Sequence, residues 1–424
     1  MKKQVLFTVL VLWLLPGFVL AQTSREEVLA NKDLAAGIYS IYHYSTTDKA
    51  PAPKGYSPFY ISHYGRHGSR WLTSEHYYSH PLEMLQKAHN NDALSAKGEA
   101  VLKKMQKIAA DAEDRYGALS EKGVKEHKGI AGRMFRAYPE VFSTKGNRDC
   151  IVYSRSTTVP RCIVSMAAFN ECLKEQNPEI QIKYEAFDRN HYLNNRNTAP
   201  TANRDALEEK YAAFFYTHFD DQKFLSTLFA KGVDPKQYVE DAFHLIFDLY
   251  SVAGDLQDTE LGFSMWNIFT DDELFALYQT SNLRMYYICG PSALNGAATM
   301  NSAKPLLKNI LDCADAAIKN ENISADLRFG HDVYAIPLLA LMDIENMNIM
   351  EPDPEKVHQY WCDYKVSPMG VNLQLIFYKN KASDDIFVKL LHCEREVSIP
   401  VETDIAPYYR WRDVKAYYEK KLTE

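Results

Sequence analysis

The chain switches between two hydrophobic periods, and the switches mark its elements. Phe59-Tyr60-Ile61-Ser62-His63-Tyr64 is an extended apolar run that reads as a buried strand. Residues 75–145 change to helical spacing, as with Leu94, Val101, Leu102, Met105 and Ile108. Residues 150–153 read as a second strand, followed by a helix starting near Arg161, and residues 180–184 read as a third strand. Residues 190–290 lack strand signals and carry helical stretches at 238–253 and 272–279. An amphipathic helix is expected over 302–318, with Ala303, Leu306, Leu307, Ile310, Leu311, Ala314 and Ala317 on one side. Residues 327–330 form a short run ending in glycine, and Tyr334, Ile336, Leu338, Leu339, Leu341 and Met342 continue it at helical spacing. Late strands are expected at 373–378 and 386–391, and the charged stretch 410–421 reads as a terminal surface helix. Strands separated by helices indicate an α/β domain with helices on both faces of a mixed sheet. The strandless block reads as a helical cap inserted into it.

The N-terminus stands outside this pattern. Lys2 and Lys3 precede an apolar stretch at residues 5–20, and Val19-Leu20-Ala21 before Gln22 fits a small-residue cleavage site. The stretch contains Pro16 and is short for a spanning helix. Residues 1–21 therefore read as a signal peptide of a secreted or periplasmic protein, with no stable membrane partner. The expected division of the rest is an α/β domain in two parts, residues 22–189 and 296–424, around a cap at 190–295.

Charge and cysteine content narrow the chemistry. A formal charge of −7 argues against nucleic acid as a partner. An anionic ligand must then be drawn by a local cluster of basic residues rather than by the whole-protein field. The seven cysteines show no CxxC pair and no metal-ligand spacing. His63 and His67 are four apart, but they lie on a strand and its exit, where that spacing does not bring them together, so no metal is expected.

Such a cluster follows the first strand. Arg66-His67-Gly68-Ser69-Arg70 places a histidine at a strand end between two guanidinium groups, with a glycine that lets the backbone come close. Ligand sites of open α/β sheets lie at the carboxyl ends of strands. Two arginines can hold a phosphate by bidentate bonds, and the histidine between them can attack phosphorus. A solvated basic turn is the plain alternative for this stretch alone. A second strand-to-helix turn, Phe329-Gly330-His331-Asp332, adds a further donor and a carboxylic acid. Phosphoryl transfer from an alkyl ester needs a nucleophile, positive charge on the equatorial oxygens and an acid for the leaving alkoxide. The two turns together offer all of these.

These residues resemble the histidine acid phosphatase family, branch 2 of the histidine phosphatases, whose signatures are RHGxRxP and His-Asp. Arg66 through Arg70 match the first and His331-Asp332 the second. The family's third arginine falls in residues 151–169, where its distance from the Ala168-Phe169 pair selects Arg161 and leaves Arg155 as a supporting neighbour. The resemblance implies a three-layer, phosphoglycerate mutase-like α/β domain with an inserted helical cap. It implies a secreted phosphomonoesterase working through a covalent phosphohistidine, without a cofactor. His67 would be the nucleophile and Asp332 the proton donor, with Arg66, Arg70, Arg161 and His331 around the phosphate.

The stretches 265–274, 283–290, 387–391 and 397–400 look like segments of the multiple inositol polyphosphate phosphatases within this family. That likeness makes phytate or another inositol phosphate the expected anionic partner. Arg189, Arg196 and Arg204 are cap cations available to its further phosphates. A broad acid or sugar phosphatase, and a non-catalytic phosphate binder, are the alternatives. Two departures stand out. Leu72 occupies the proline position of RHGxRxP, and His-Asp stands where the inositol subgroup usually has His-Ala-Glu.

Overall fold

The computed structural model describes residues 23–44, 49–146, 148–193 and 204–424. The expected signal peptide therefore lies outside the described residues, as does Arg196. Among the described residues eight strands form one mixed sheet: β1 (Ser57–Arg66), β2 (Ile151–Ser156), β3 (Gln181–Glu185), β4 (Ile323–Gly330), β5 (Asn372–Asn380), β6 (Ser383–His392), β7 (Arg395–Val397) and β8 (Tyr409–Arg410). The order is β3-β2-β4-β1-β5-β6-β7, with β8 also on β6. The neighbours β3, β2, β4 and β1 run parallel, and β5, β6, β7 and β8 continue the sheet antiparallel. Every residue of β4 is buried, as a central strand covered on both sides must be.

Successive side chains on β4 identify the two covering layers. Arg328 reaches Asn309 on helix Lys304–Lys319 at 2.8 Å, whereas Phe329 packs against Phe169 on helix Pro160–Gln176 with ring centroids 5.5 Å apart. Adjacent strand residues point to opposite faces, so these helices lie on opposite sides of the sheet. The buried Arg328 is satisfied by Asn309 and by Ser62 Oγ at 2.9 Å, and Asp326 accepts the Tyr60 hydroxyl at 2.9 Å. This polar network is structural.

Between β3 and β4 the described residues form helices and connecting turns, chiefly Arg204–His218, Asp221–Leu228, Ala242–Asp255 and Asp271–Ile288. Their core is aromatic, with Phe215 against Phe219, Phe243 and Phe247. Among the described residues no helix is long and apolar enough to cross a membrane. The terminal helix differs from the expected surface helix. Trp411, Val414 and Tyr418 are buried, and Trp411 meets Phe377 edge-on at 4.9 Å. These three apolar positions form a narrow stripe that the surrounding charges mask in the sequence.

Helix Glu121–Ala137 carries the loop that follows β1. Its cap residue Ser120 donates through its backbone N–H to Ser69 O at 2.9 Å, and Glu126 accepts both the N–H and the hydroxyl of Ser69 at 2.8 Å. The loop lies so close that a Cβ on Gly68 would sit 2.6 Å from the Gly123 backbone. Gly68→Ala must force the two segments apart. We expect it to lower stability by about 1–3 kcal/mol by chemical denaturation, with the far-UV spectrum unchanged.

Candidate active site

Three parallel strands deliver the site. The register sets Arg66 beside Gly330 and Ser156 beside Phe329. The segments that follow β1, β2 and β4 therefore leave the sheet at one edge. His67 and His331 emerge side by side, with ring centroids 5.6 Å apart. His67 N–H donates to Gly330 O at 3.0 Å, which ties the two turns together. Tyr64, 267 residues from His331 in sequence, donates its hydroxyl to His331 O at 3.0 Å. The same hydroxyl accepts the His331 N–H at 3.2 Å. A Cβ on Gly330 would lie 2.5 Å from that hydroxyl, so glycine here makes room for the clamp.

Arg66, at the last position of β1, is fully buried. It donates to Ile38 O at 2.5 Å and Ser367 O at 2.9 Å, and its Nη2 faces Asp332 Oδ2 at 2.8 Å. Arg70 donates to Trp71 O at 2.9 Å, lies 3.7 Å from Asp255 and covers the Tyr39 ring at 5.1 Å. Arg161 opens helix Pro160–Gln176, whose cap residue Val159 has no side chain able to bond the first N–H groups. The buried Nε atoms of Arg66, Arg70 and Arg161 have no hydrogen-bond acceptor among the described residues. Buried donors left this way are costly unless a ligand supplies the acceptor. Converging guanidinium groups beside an open helix N-terminus suit a tetrahedral oxyanion.

The titratable groups respond to this field. Burial, then Arg66, Arg70, Arg161 and His331, hold the His67 imidazole well below its usual pKa. His67 Nδ1 lies 2.9 Å from Gly68 O, which can only accept, so Nδ1 carries the proton and Nε2 keeps a lone pair. His331 is brought down to about 4 by burial and then by Arg161. Burial would raise the Asp332 carboxyl, but Arg66 and His331 more than offset this and hold it below the usual carboxylate range. The cluster thus offers a neutral nucleophile with a free nitrogen, several fixed cations and one carboxyl group.

Arg66, His67, Arg70, Arg161, His331 and Asp332, the six residues expected to form the site, lie together here. Arg155 does not, because it pairs with Asp326 and Glu185 across β2, β3 and β4. Arg189 pairs with Glu185 on the surface. Arg204 begins a cap helix. Sequence reasoning missed Asp255, and it missed a second cation, Arg284, that shares phenol neighbours with Arg70. The Arg284 guanidinium lies among the phenols of Tyr39, Tyr211 and Tyr77, and the Tyr77 phenol feels both Arg284 and Arg70. Among the described residues no carboxylate pairs with Arg284. The signal was a lone arginine between buried Leu283, Met285, Tyr286 and Tyr287.

The model of the histidine phosphatase superfamily (branch 2) matches residues 65–392. The chain belongs to this family. Membership makes it a phosphatase. No curated protein matches its sequence, but solved structures match its fold. Multiple inositol polyphosphate phosphatase from Bifidobacterium longum, in complex with inositol hexasulfate, superposes with a TM-score of 0.76 at 19% identity, covering 91% of this chain and 97% of that chain. The phytase from D. castellii gives 0.68 at 15% identity, covering 92% and 85%. The phytase from Klebsiella sp. ASR1 gives 0.54 at 13% identity, covering 88% and 96%. The phosphatase fold is thus retained over nearly the whole chain at low identity.

One property of this free site is directly measurable. Proton NMR of the imidazoles should find His331 neutral down to about pH 4. Arg161→Gln removes the second-largest influence and should move that midpoint upward. A His331 midpoint at the ordinary 6.5 would contradict the burial and charge described.

Proposed function

We propose that the protein hydrolyses phosphomonoesters through a phosphohistidine on His67 and that its preferred substrates are inositol polyphosphates. The observation that carries the first part is the neutral His67, with Nε2 unprotonated, among Arg66, Arg70 and Arg161 at the sheet edge. Nε2 attacks phosphorus as the ester P–O bond breaks in line. The guanidinium groups and the His331 ring stabilise charge on the phosphoryl oxygens. Asp332 gives its proton to the leaving alkoxide, then takes one from the water that cleaves the P–N bond and releases phosphate. Asp332 is ionised in the free site beside Arg66, and a bound phosphate dianion pushes it back toward protonation by like-charge repulsion. Activity on alkyl esters therefore rises as pH falls, and the depressed His67 keeps the nucleophile unprotonated in that range.

The substrate reading rests on three supports. The late and pre-helical segments of the sequence resemble inositol polyphosphate phosphatases. A structural neighbour carries inositol hexasulfate. Arg284, with no carboxylate partner among the described residues, stands beside the phenols that border Arg70 and offers a contact for a second phosphate. The charged and apolar order of residues 1–21 supports a secreted or periplasmic location.

His67→Ala should lower kcat on every substrate by a factor on the order of 10³ or more, and alkali-quenched wild-type enzyme should hold labelled phosphate in a base-stable, acid-labile form. Near-normal turnover by that variant would exclude the mechanism. Asp332→Asn should slow phytate or sugar phosphate hydrolysis by about 10²–10⁴-fold, and nitrophenyl phosphate far less, because nitrophenolate leaves without a proton. Equal losses would place the acid elsewhere. In a panel of phytate, glucose 1-phosphate and nitrophenyl phosphate, phytate should show the lowest KM, with an advantage that shrinks as salt rises. Arg284→Ala should raise the phytate KM by roughly tenfold and leave nitrophenyl phosphate nearly unchanged. Equal efficiency on glucose 1-phosphate and phytate at low salt would support a broad acid phosphatase instead.

A further inference from the structure

A side-chain cluster outside the sheet edge has no role in this chemistry. His76 and His80 lie one turn apart on helix His76–His89, and their rings stack with centroids 4.8 Å apart and planes 18° apart. Residues at this spacing share a helix face. Asp248 faces them from helix Ala242–Asp255. Its Oδ2 is 2.6 Å from His80 Nδ1 and 3.9 Å from His76 Nε2. The three donor atoms all lie within 4.8 Å of one another. The Asp248 side chain is 8% exposed and that of His76 is 62% exposed, so the carboxylate forms a floor and one side opens to solvent.

We propose that His76, His80 and Asp248 bind one divalent transition-metal ion, Zn²⁺ in the first instance, that bridges the two helices. Two imidazoles and one carboxylate suit borderline ions such as Zn²⁺ and do not suit Mg²⁺ or Ca²⁺, which prefer all-oxygen shells. A tetrahedral Zn²⁺ with bonds of about 2.1 Å needs donors about 3.4 Å apart. The His80–Asp248 and His76–Asp248 pairs, at 2.6 and 3.9 Å, fall on either side of that spacing, and all three donors lie within 4.8 Å of one another. Water enters the fourth position from the exposed side of His76.

In the metal-free state His80 Nδ1 and Asp248 Oδ2 share a hydrogen bond at 2.6 Å. A metal at Nδ1 takes the place of that hydrogen, and the imidazole N–H is then at Nε2. The His80–Asp248 hydrogen bond alone would account for those two residues. It does not involve His76, whose ring makes no hydrogen bond among the described residues and completes the donor set.

The bridge would join two elements that both bond the Leu72 N–H after Arg70, through Tyr78 and Asp255. Helix His76–His89 begins shortly after Arg70. Two turns beyond Asp248, the same cap helix carries Asp255, which lies 3.7 Å from the Arg70 guanidinium. The ion would thus hold the cap against the loop of the sheet-edge site.

The test is a titration of the untagged, chelator-treated full chain with Zn²⁺ alone, read by calorimetry and by thermal unfolding. The expected result is one site, a higher Tm with the ion, and an affinity loss of roughly 100-fold or more in each of His76→Ala, His80→Ala and Asp248→Asn. His76 is exposed, so His76→Ala should fold normally and keeps the test decisive if the Asp248 variant does not. Absorption spectroscopy at the zinc edge should show two imidazole ligands. No saturable binding by the wild type, or equal affinity in His76→Ala, would overturn the proposal. These readouts do not involve phosphate-ester hydrolysis, so they stand apart from the assignment of His67.

Discussion

Because β1 and β4 run parallel with Arg66 beside Gly330, the residue after each strand leaves the sheet at the same edge and in the same layer. A slip of one residue would displace His67 from His331 by about 3.3 Å and turn each side chain of the slipped strand to the opposite face. Arg328 would then meet the aromatic layer in place of Asn309, and Phe329 would enter the polar one. The cost of burying that guanidinium without partners fixes the register. The Tyr64 hydroxyl, bonded to both backbone groups of His331, fixes the turn that follows. The sheet core and the active-site geometry are thus set by the same pairing.

That geometry concentrates positive charge in a chain whose net charge is −7. Burying several guanidinium groups beside one another is unfavourable, and the structure offsets it from behind. Ile38 O and Ser367 O hold Arg66, Asp255 faces Arg70, and Glu126 and Asp258 bind Ser69 between them. Burial moves the Asp255 carboxyl up to about 7, and Asp258 beside it is raised as well. This acid group behind the loop therefore does not carry full negative charge near neutrality. The forward side of the cluster keeps donors without acceptors, which is the condition that favours an oxyanion over water.

The candidate site was legible in the sequence because most of its residues sit in short contiguous motifs at strand ends. Arg66-His67-Gly68-Ser69-Arg70 and His331-Asp332 announce both residue type and placement. Most strands were legible for the same local reason, a run of apolar residues bounded by turns. The short strands β7 and β8 were not, since two or three residues carry no periodicity. The terminal helix looked exposed because three buried side chains among charges make a weak stripe. Asp255 and Arg284 were hidden for a different reason. Each lies on a helix far from the motifs in sequence, and only tertiary packing sets Asp255 beside Arg70 and Arg284 among the phenols of Tyr39 and Tyr77. The i, i+4 spacing of His76 and His80 was present in the sequence, but Asp248 comes from a distant helix and no spacing rule reaches it.

Leu72 shows how a departure from the family pattern is absorbed. A proline there would offer no N–H. Leucine restores one, and it donates to the Tyr78 hydroxyl at 2.8 Å and to Asp255 Oδ2 at 3.1 Å. The other oxygen of Asp255 faces Arg70. The turn that proline would stiffen by its ring is held instead by a carboxylate on the cap helix, which also positions the cation. The two devices differ in what they connect. A proline ring acts within the loop, whereas the Leu72–Asp255 bond makes the orientation of Arg70 depend on where helix Ala242–Asp255 sits. In this chain that helix is therefore joined mechanically to the arginine cluster, so a displacement of the helix acts on Arg70 directly.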